Sequence, residues 1–284
     1  MFAFSPERTL MRIAVAFRFP SPPGFSGGLR LPMTVVETYE PTGILKPVTD
    51  GVWIVDGPVI EFGYLGMKFP FPTRTTIVQL ADGELWVHSP TQLPPSLKSD
   101  VDALGRVRYL IAPNRIHYWW VEEWVTAYPD AMTYAAPGVQ ERARSNGRFA
   151  DYNADLVVDG EYPWSGEFKM LLVPGGYLTE AVFFHNATRT LVITDLIQNY
   201  EREKIANPIF RFMFRLAGAA DPDGKMPIDL RSTFFMHRKQ IAEAVQKMIS
   251  WQPQRIVIAH GRWYEENAVP ELKRAFRWLP GISR

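Results

Sequence analysis

Four times along this chain an apolar run of strand length ends on a side chain capable of chemistry and is then broken. The runs are ELWVHSP at His88, RYLIAPNRIH at Asn114 and His117, TLVITDL at Asp195, and RIVIAHG at His260. Runs this short, rich in Val, Ile and Leu and without polar alternation, are the pattern of strands buried on both faces. Helices must then cover both sides, and the segments between the runs place them at 95–104, 115–128, 199–217, 229–250 and 269–279. In the second of these Asn114 is the expected N-cap, with Ile116, Trp120, Trp124 and Ala127 as one apolar stripe. Other segments read as antiparallel. Asp82 and Gly83 separate two strand-like runs as in a hairpin, and FKMLLVPGGYLTEAVFFHNATRTLVITD reads as three successive strands. Together these predict a layered α/β (α+β) protein with mixed sheets.

In such sheets functional groups collect just past the strand ends, where loops converge on a rigid base. If the four runs are co-oriented, His88, Asn114, His117, Asp195 and His260 approach one another. Two or three imidazoles with a carboxylate suffice to hold Zn, Fe or Mn. No H-x-H, H-E-x-x-H or H-x-x-x-H pair is present, so each residue also has an ordinary reading. His117 then faces solvent, His88 bonds the turn at Ser89 and Pro90, and Asp195 caps a helix beginning near Gln198. Asp195 is the hardest to treat as incidental, because a carboxylate directly after LVIT loses hydration at a cost of several kcal/mol unless it is paired or metal-bound. Glu180 and His185 stand an odd number of residues apart on one strand and face opposite sides of it, so they cannot both enter one pocket. Of the two, Glu180 is the site candidate. His237 reads as an ordinary helical residue.

Composition narrows the function classes. The 31 Lys and Arg against 30 Asp and Glu leave a formal net charge of +1, so no imbalance points to nucleic acid, and the expected partner is a small molecule or another protein. With no cysteine, disulfides, thiolate nucleophiles and cysteine-based metal sites are excluded. No 18-residue apolar run is present, so no segment is expected to span a bilayer and the chain reads as soluble. There is no G-x-G-x-x-G fingerprint, and GAADPDGKM fails as a phosphate loop because Met226 stands where a hydroxyl is required.

Beyond residue 45 there is no internal repeat and no long linker, so residues 46–284 are expected to form a single domain after an N-terminal extension over 1–45. Residues 1–36 carry Arg8, Arg12, Arg18 and Arg30 with Glu7 as the only acid. That pattern fits an organellar presequence, a poorly ordered extension, or an upstream start with Met33 as the natural first residue. Without a presequence the expected location is cytoplasmic. In NPIFRFMFRLAG, residues 207–218, only Arg211 and Arg215 interrupt an apolar helix, which is expected to bury most of its circumference in the core or in a homodimer interface. A hydrophobic lid or a shallow membrane contact are the other readings.

The order of elements, with GVWIVDGP opening, then LWVHSP, LIAPNRIHYWW, VPGG…EAVFFHNATRTLVITDL and a terminal RIVIAHG, resembles the metallo-β-lactamase superfamily over residues 46–284. Within it the chain is most similar to a branch known only as a domain of unknown function. The resemblance implies a four-layer αββα sandwich with a metal site at the strand ends between the two sheets. It also implies that the T-H-x-H-x-D-H signature falls on Pro113 to Trp119, where none of its ligands stands in register. The bridging aspartate then matches Asp195 and the final histidine His260, while His88 replaces the aspartate of the early D-x-G turn. A dinuclear hydrolytic centre is thereby disfavoured. What the resemblance leaves is a mononuclear site of His117, Asp195 and His260 with His88 or Asn114 beside it. Asp195, His117 and Asn114 would be its catalytic groups, and its substrate an unassigned ester, amide, lactone or phosphoester. The alternative is a metal-free, non-catalytic binding or scaffold protein on the same fold, whose pocket takes an anionic group at Asn114 and the helix N-terminus.

Overall fold

Period-two alternation sorts the strand side chains onto two sides of each of two sheets. The computed structural model describes residues 36–64 and 67–282. The larger sheet runs β1 (Lys46–Thr49), β2 (Val52–Tyr64), β3 (Met67–Gln79), β4 (Leu85–His88), β5 (Val107–Ala112), β6 (Met132–Ala135) and β7 (Ala154–Asp155) in sequence order. Its first four strands are antiparallel and β4 to β7 are parallel. The smaller sheet has the order β11 (Arg255–Val257), β10 (Thr190–Val192), β9 (Glu180–His185), β8 (Phe168–Val173), antiparallel except for the β10–β11 pair. The predicted Asp82–Gly83 hairpin joins β3 to β4, and the predicted run of three strands is β8 to β10.

The alternation explains the layers. Trp86, Tyr109, Ile111, Phe168, Phe183 and Val192 point inward and form one core between the two sheets. Their strand neighbours Leu85, Val87, Val107 and Leu110 point outward and pack with Leu97 and Val101 of α1 (Pro95–Leu104) and Trp124 of α2 (Val121–Ala127). On the far side Val182, Phe184, Leu191, Ile193 and Ile256 pack with Ile241, Val245 and Met248 of α6 (Arg238–Ser250) and Leu272 and Ala275 of α7 (Ala268–Ala275). The result is the predicted four-layer αββα sandwich. Each large side chain fully buried in these layers contributes roughly 1.5–3 kcal/mol. The remaining helices are α3 (Val139–Ser145), α4 (Pro208–Ala217) and α5 (Ile228–Thr233), with 3-10 turns at Arg202–Lys204 and Phe235–His237.

Two expectations about helices are corrected. Residues 115–120 do not open a helix. α2 begins only at Val121, Asn114 is not its N-cap, and the supposed stripe is divided, with Ile116 packing on the outer layer of the small sheet and Trp120 on that of the large one. The helices expected at 199–217 and 229–250 are each broken, the first into a 3-10 turn and α4, the second into α5, a 3-10 turn and α6. α4 is not the core helix that was one of its expected placements. Asn207 caps it by accepting the Ile209 N–H, yet none of its residues is buried. Only Phe210 and Phe214 pack partway into a small cluster with Val36, Tyr200 and Ile205. The presequence reading and the choice of Met1 or Met33 as first residue concern residues 1–35, which lie outside the described residues. From Val36, which pairs with Ile205, the chain packs into the domain. Among the described residues no helix is long and apolar enough to cross a membrane.

Candidate functional site

β4, β5, β10 and β11 deliver their polar ends to one edge of the sandwich, and three of the predicted side chains meet there. His117 Nε2 lies 3.2 Å from His260 Nε2 and 3.2 Å from Asp195 Oδ2, and His260 Nε2 lies 3.3 Å from Asp195 Oδ1. All three residues are nearly sealed from solvent, at 8, 5 and 2% exposure for His117, His260 and Asp195. His117 comes from the irregular loop after β5, where its own N–H donates to the Asn114 carbonyl. His260 stands three residues past the end of β11. Gly261 after it holds φ +98°, and a Cβ there would lie 2.1 Å from the Asn199 carbonyl oxygen. Only glycine allows the loop so close.

The other ring nitrogens determine what the cluster can do. His260 Nδ1 lies 3.1 Å from the Pro72 carbonyl oxygen, which only accepts, so Nδ1 carries the proton and Nε2 presents a lone pair to the site. His117 Nδ1 is 2.8 Å from Ser89 Oγ, a group able to donate or accept. With Nδ1–H donating to Ser89, two nitrogen lone pairs and a carboxylate face one another in a buried space. That arrangement suits a cation in their midst. Donors at about 2.0–2.1 Å from a tetrahedral metal stand roughly 3.3 Å apart; the two Nε2 atoms stand 3.2 Å apart, and each meets a different oxygen of Asp195, at 3.2 and 3.3 Å. The three residues therefore fit a single divalent ion, and they form a three-residue His and Asp set able to hold a metal.

Asp195 is positioned from both sides. Asn114 Nδ2 donates to Asp195 Oδ2 at 2.7 Å and to Thr194 Oγ1 at 2.8 Å, while its Oδ1 accepts the Ile116 N–H. Asn114 thus serves the carboxylate and its own turn, and no helix N-terminus stands beside it to receive an anion. Burial alone would raise the Asp195 carboxyl, but the two imidazoles against it, His117 before His260, outweigh burial and hold the group below the usual carboxylate range. For His260, burial dominates and lowers its pKa against the pull of Asp195.

Glu180, the first residue of β9, takes a role unforeseen from its strand position. Its fully buried carboxylate accepts the N–H of Thr194 at 2.6 Å and of Asp195 at 2.8 Å, fixing the backbone that carries the site carboxylate. Burial, then the nearby Asp195 charge, raises its pKa. Glu180→Gln places an NH2 group against a buried N–H, and the variant is expected to lose about 2–3 kcal/mol in denaturant unfolding.

His88 does not join the cluster. As the last residue of β4 it shares the inward face with Trp86, on which its ring stacks at 5.4 Å, with the edge of Phe183 at 5.6 Å. Its Nε2 is buried without a hydrogen-bond partner, so it is a core histidine beneath the site. Burial, reinforced by His117, pushes its pKa down to about 3. The unfolded value lies near 6.5, so between these values the unfolded chain binds more protons. Stability therefore falls as pH drops through that window, by about 1.4 kcal/mol per pH unit. His88→Leu is expected to flatten this acid limb, measured as unfolding free energies between pH 6 and 4.

An ion network without any signal in the strand-end pattern locks the His260 loop. Arg74 of β3 donates from Nε to Asp56 Oδ1 at 2.7 Å, and from Nη1 to the carbonyls of Ile258 at 2.9 Å and Gly261 at 2.7 Å. Lys46 adds a 2.8 Å contact to Asp56 Oδ2. Arg74 also stacks over the Tyr39 ring, whose hydroxyl donates to Glu201.

No curated protein matches the chain. Among solved structures it is similar to the DIM-1 metallo-β-lactamase at 12% identity and a TM-score of 0.56, over 86% of this chain and 96% of that one. It is likewise similar to metallo-β-lactamases from Hirschia baltica (13% identity, TM-score 0.55, 82% and 95% covered) and Pontibacter korlensis (13%, 0.53, 84% and 98%). The sandwich is thus the metallo-β-lactamase fold. The family described as a domain of unknown function, DUF4336, matches residues 50–209, more than half of the sequence, and the chain belongs to that family.

Proposed function

We propose that this protein is a mononuclear metal-dependent hydrolase that holds one divalent ion, Zn, Fe or Mn, through His117, His260 and Asp195. The observation that carries the reading is the donor triangle with the His260 Nδ1 proton committed to the Pro72 carbonyl, which leaves its Nε2 free to ligate. Three protein donors are the number found where a fourth position is left for water or substrate, whereas structural zinc takes four. Such an ion supplies Lewis acidity and a water acidic enough to attack at neutral pH. The residues of the chain supply orientation. Ser89 and Pro72 hold the two imidazoles, and Asn114 and Glu180 hold the carboxylate and its backbone. The rings of Phe71 and Tyr200, centred 5.9 and 6.3 Å from that of His260, keep water from its flank. An ester, amide, lactone or phosphoester is the substrate class suited to such a centre.

The Ser89 hydroxyl favours one rival. If it donates to His117 Nδ1, His117 carries a proton on Nε2 shared with Asp195 and His260, and the cluster is satisfied as a metal-free binding pocket. Metal analysis of protein purified without chelator separates the two. The hydrolase reading requires about one equivalent, reduced at least tenfold by His260→Ala, together with turnover of an ester or phosphoester panel that a chelator abolishes. Metal far below one equivalent, with a melting temperature indifferent to added zinc, manganese or iron, rejects it.

A further inference from the structure

Among the described residues ten large apolar side chains are exposed, and seven of them fall between Ile209 and Met236. Four belong to α4: Ile209, Phe212, Met213 and Leu216, at 69, 62, 49 and 67% exposure. Their spacing of three, four and seven residues puts them on a single helix face. The opposite face rests on the domain through Phe210 and Phe214. The loop after α4 returns to its end, where the Lys225 N–H donates to the Gly218 carbonyl. α5 therefore starts beside the end of α4, and its Ile228 is also exposed.

Charge indicates what would cover this face. From Ile205 to Ala220 the only charged residues are Arg211 and Arg215, with no acid to pair them. Arg211 donates to the Ile205 carbonyl at 2.6 Å, so Arg215 is the exposed charge beside the apolar face, and a second copy of α4 carries no acid to meet it. A layer of anionic headgroups over an apolar interior supplies both partners at once. An amphipathic helix with large apolar residues on one face and arginines beside them is the form that lies in a membrane interface.

We propose that α4 is a docking helix that seats the protein on an anionic lipid surface, inserting Ile209, Phe212, Met213 and Leu216 with Arg215 at headgroup level. Phe214 packs edge-on against Tyr200 at 5.0 Å, and Tyr200 in turn flanks His260. Docking therefore brings the histidine and carboxylate cluster within two side chains of the lipid. The inference does not rest on a metal being bound.

The test is sedimentation of the full chain with phosphatidylcholine vesicles and with vesicles of phosphatidylcholine mixed with phosphatidylglycerol. The unaltered protein is expected to pellet with the mixed vesicles at least about tenfold more strongly than with the neutral ones, and to be released by salt. Phe212→Ser with Leu216→Ser is expected to abolish pelleting, and Arg215→Glu to weaken it about fivefold or more. All three side chains are exposed, so thermal unfolding followed by circular dichroism should match the unaltered chain. Protein that stays in the supernatant with both vesicle types overturns the proposal, as does pelleting unaffected by the double substitution. A dimer in sedimentation velocity that the double substitution dissociates, without vesicle binding, overturns it in favour of self-association.

Discussion

Asp195→Ala is expected to weaken divalent-metal binding by at least about a hundredfold, more than any substitution among the residues that merely orient the ligands. The carboxylate reaches both histidines, at 3.2 and 3.3 Å, so its removal leaves two neutral nitrogen donors and no anionic charge to offset an ion in a buried site. Fold stability without metal should change much less. The substitution strips the hydrogen bond from Asn114 and the contacts of the two histidines, but it also relieves the like-charge pressure of Asp195 on Glu180. Titration calorimetry of chelator-treated protein with zinc measures the first effect and urea unfolding the second. Unchanged affinity in Asp195→Ala would falsify the assignment of this residue as a ligand.

The largest expected loss of stability comes from a residue outside the cluster. Arg74→Met removes the partner of Asp56, which is 3% exposed, and orphans the carbonyls of Ile258 and Gly261. Breaking a buried ion pair from one side costs about 3–5 kcal/mol, because the remaining charge stays buried and uncompensated. For a domain of this size that is a fall in melting temperature of roughly 10 °C. Lys46 remains near Asp56 at 2.8 Å and recovers part of the loss. Combining Arg74→Met with Asp56→Leu should restore stability relative to Arg74→Met alone, and a double-mutant cycle reads the coupling directly. Because Arg74 clamps the loop that presents His260, the single variant should also bind metal less tightly.

Much of this molecule is readable from the chain because of how parallel strands work. A strand buried on both faces announces itself as an apolar run, and the polar residue after it projects from the strand end, so Asn114, Asp195 and His260 are placed before any coordinates are known. Asp82–Gly83 is equally legible as a hairpin, because a two-stranded connection demands those residue types. His88 misleads for a reason of register. It belongs to the strand and not to the loop after it, so it follows Trp86 onto the inward face, two residues on. Asn114 accepts the Ile116 N–H as an N-cap would, yet the chain turns through His117 and the helix starts only at Val121, while the Asn114 amide is given to Asp195 and Thr194. The spacing of Ile116, Trp120 and Trp124 suggests one face, while the first two serve different layers. Glu180 is a candidate in the sequence but its role is not, and Arg74 gives no signal at all, because much of what they hold is backbone: the N–H groups of Thr194 and Asp195, and carbonyls 184 and 187 residues away from Arg74. α4 carries its apolar surplus openly in the sequence. Only coordinates reveal that the surplus faces outward.

The most direct test of the proposed metal centre is anomalous diffraction from crystals of the protein soaked in zinc, collected on both sides of the zinc absorption edge. One peak is expected at about 2.0–2.1 Å from His117 Nε2, His260 Nε2 and an oxygen of Asp195. Density that stays free of anomalous signal between these three residues, at zinc concentrations that label other sites, would contradict it.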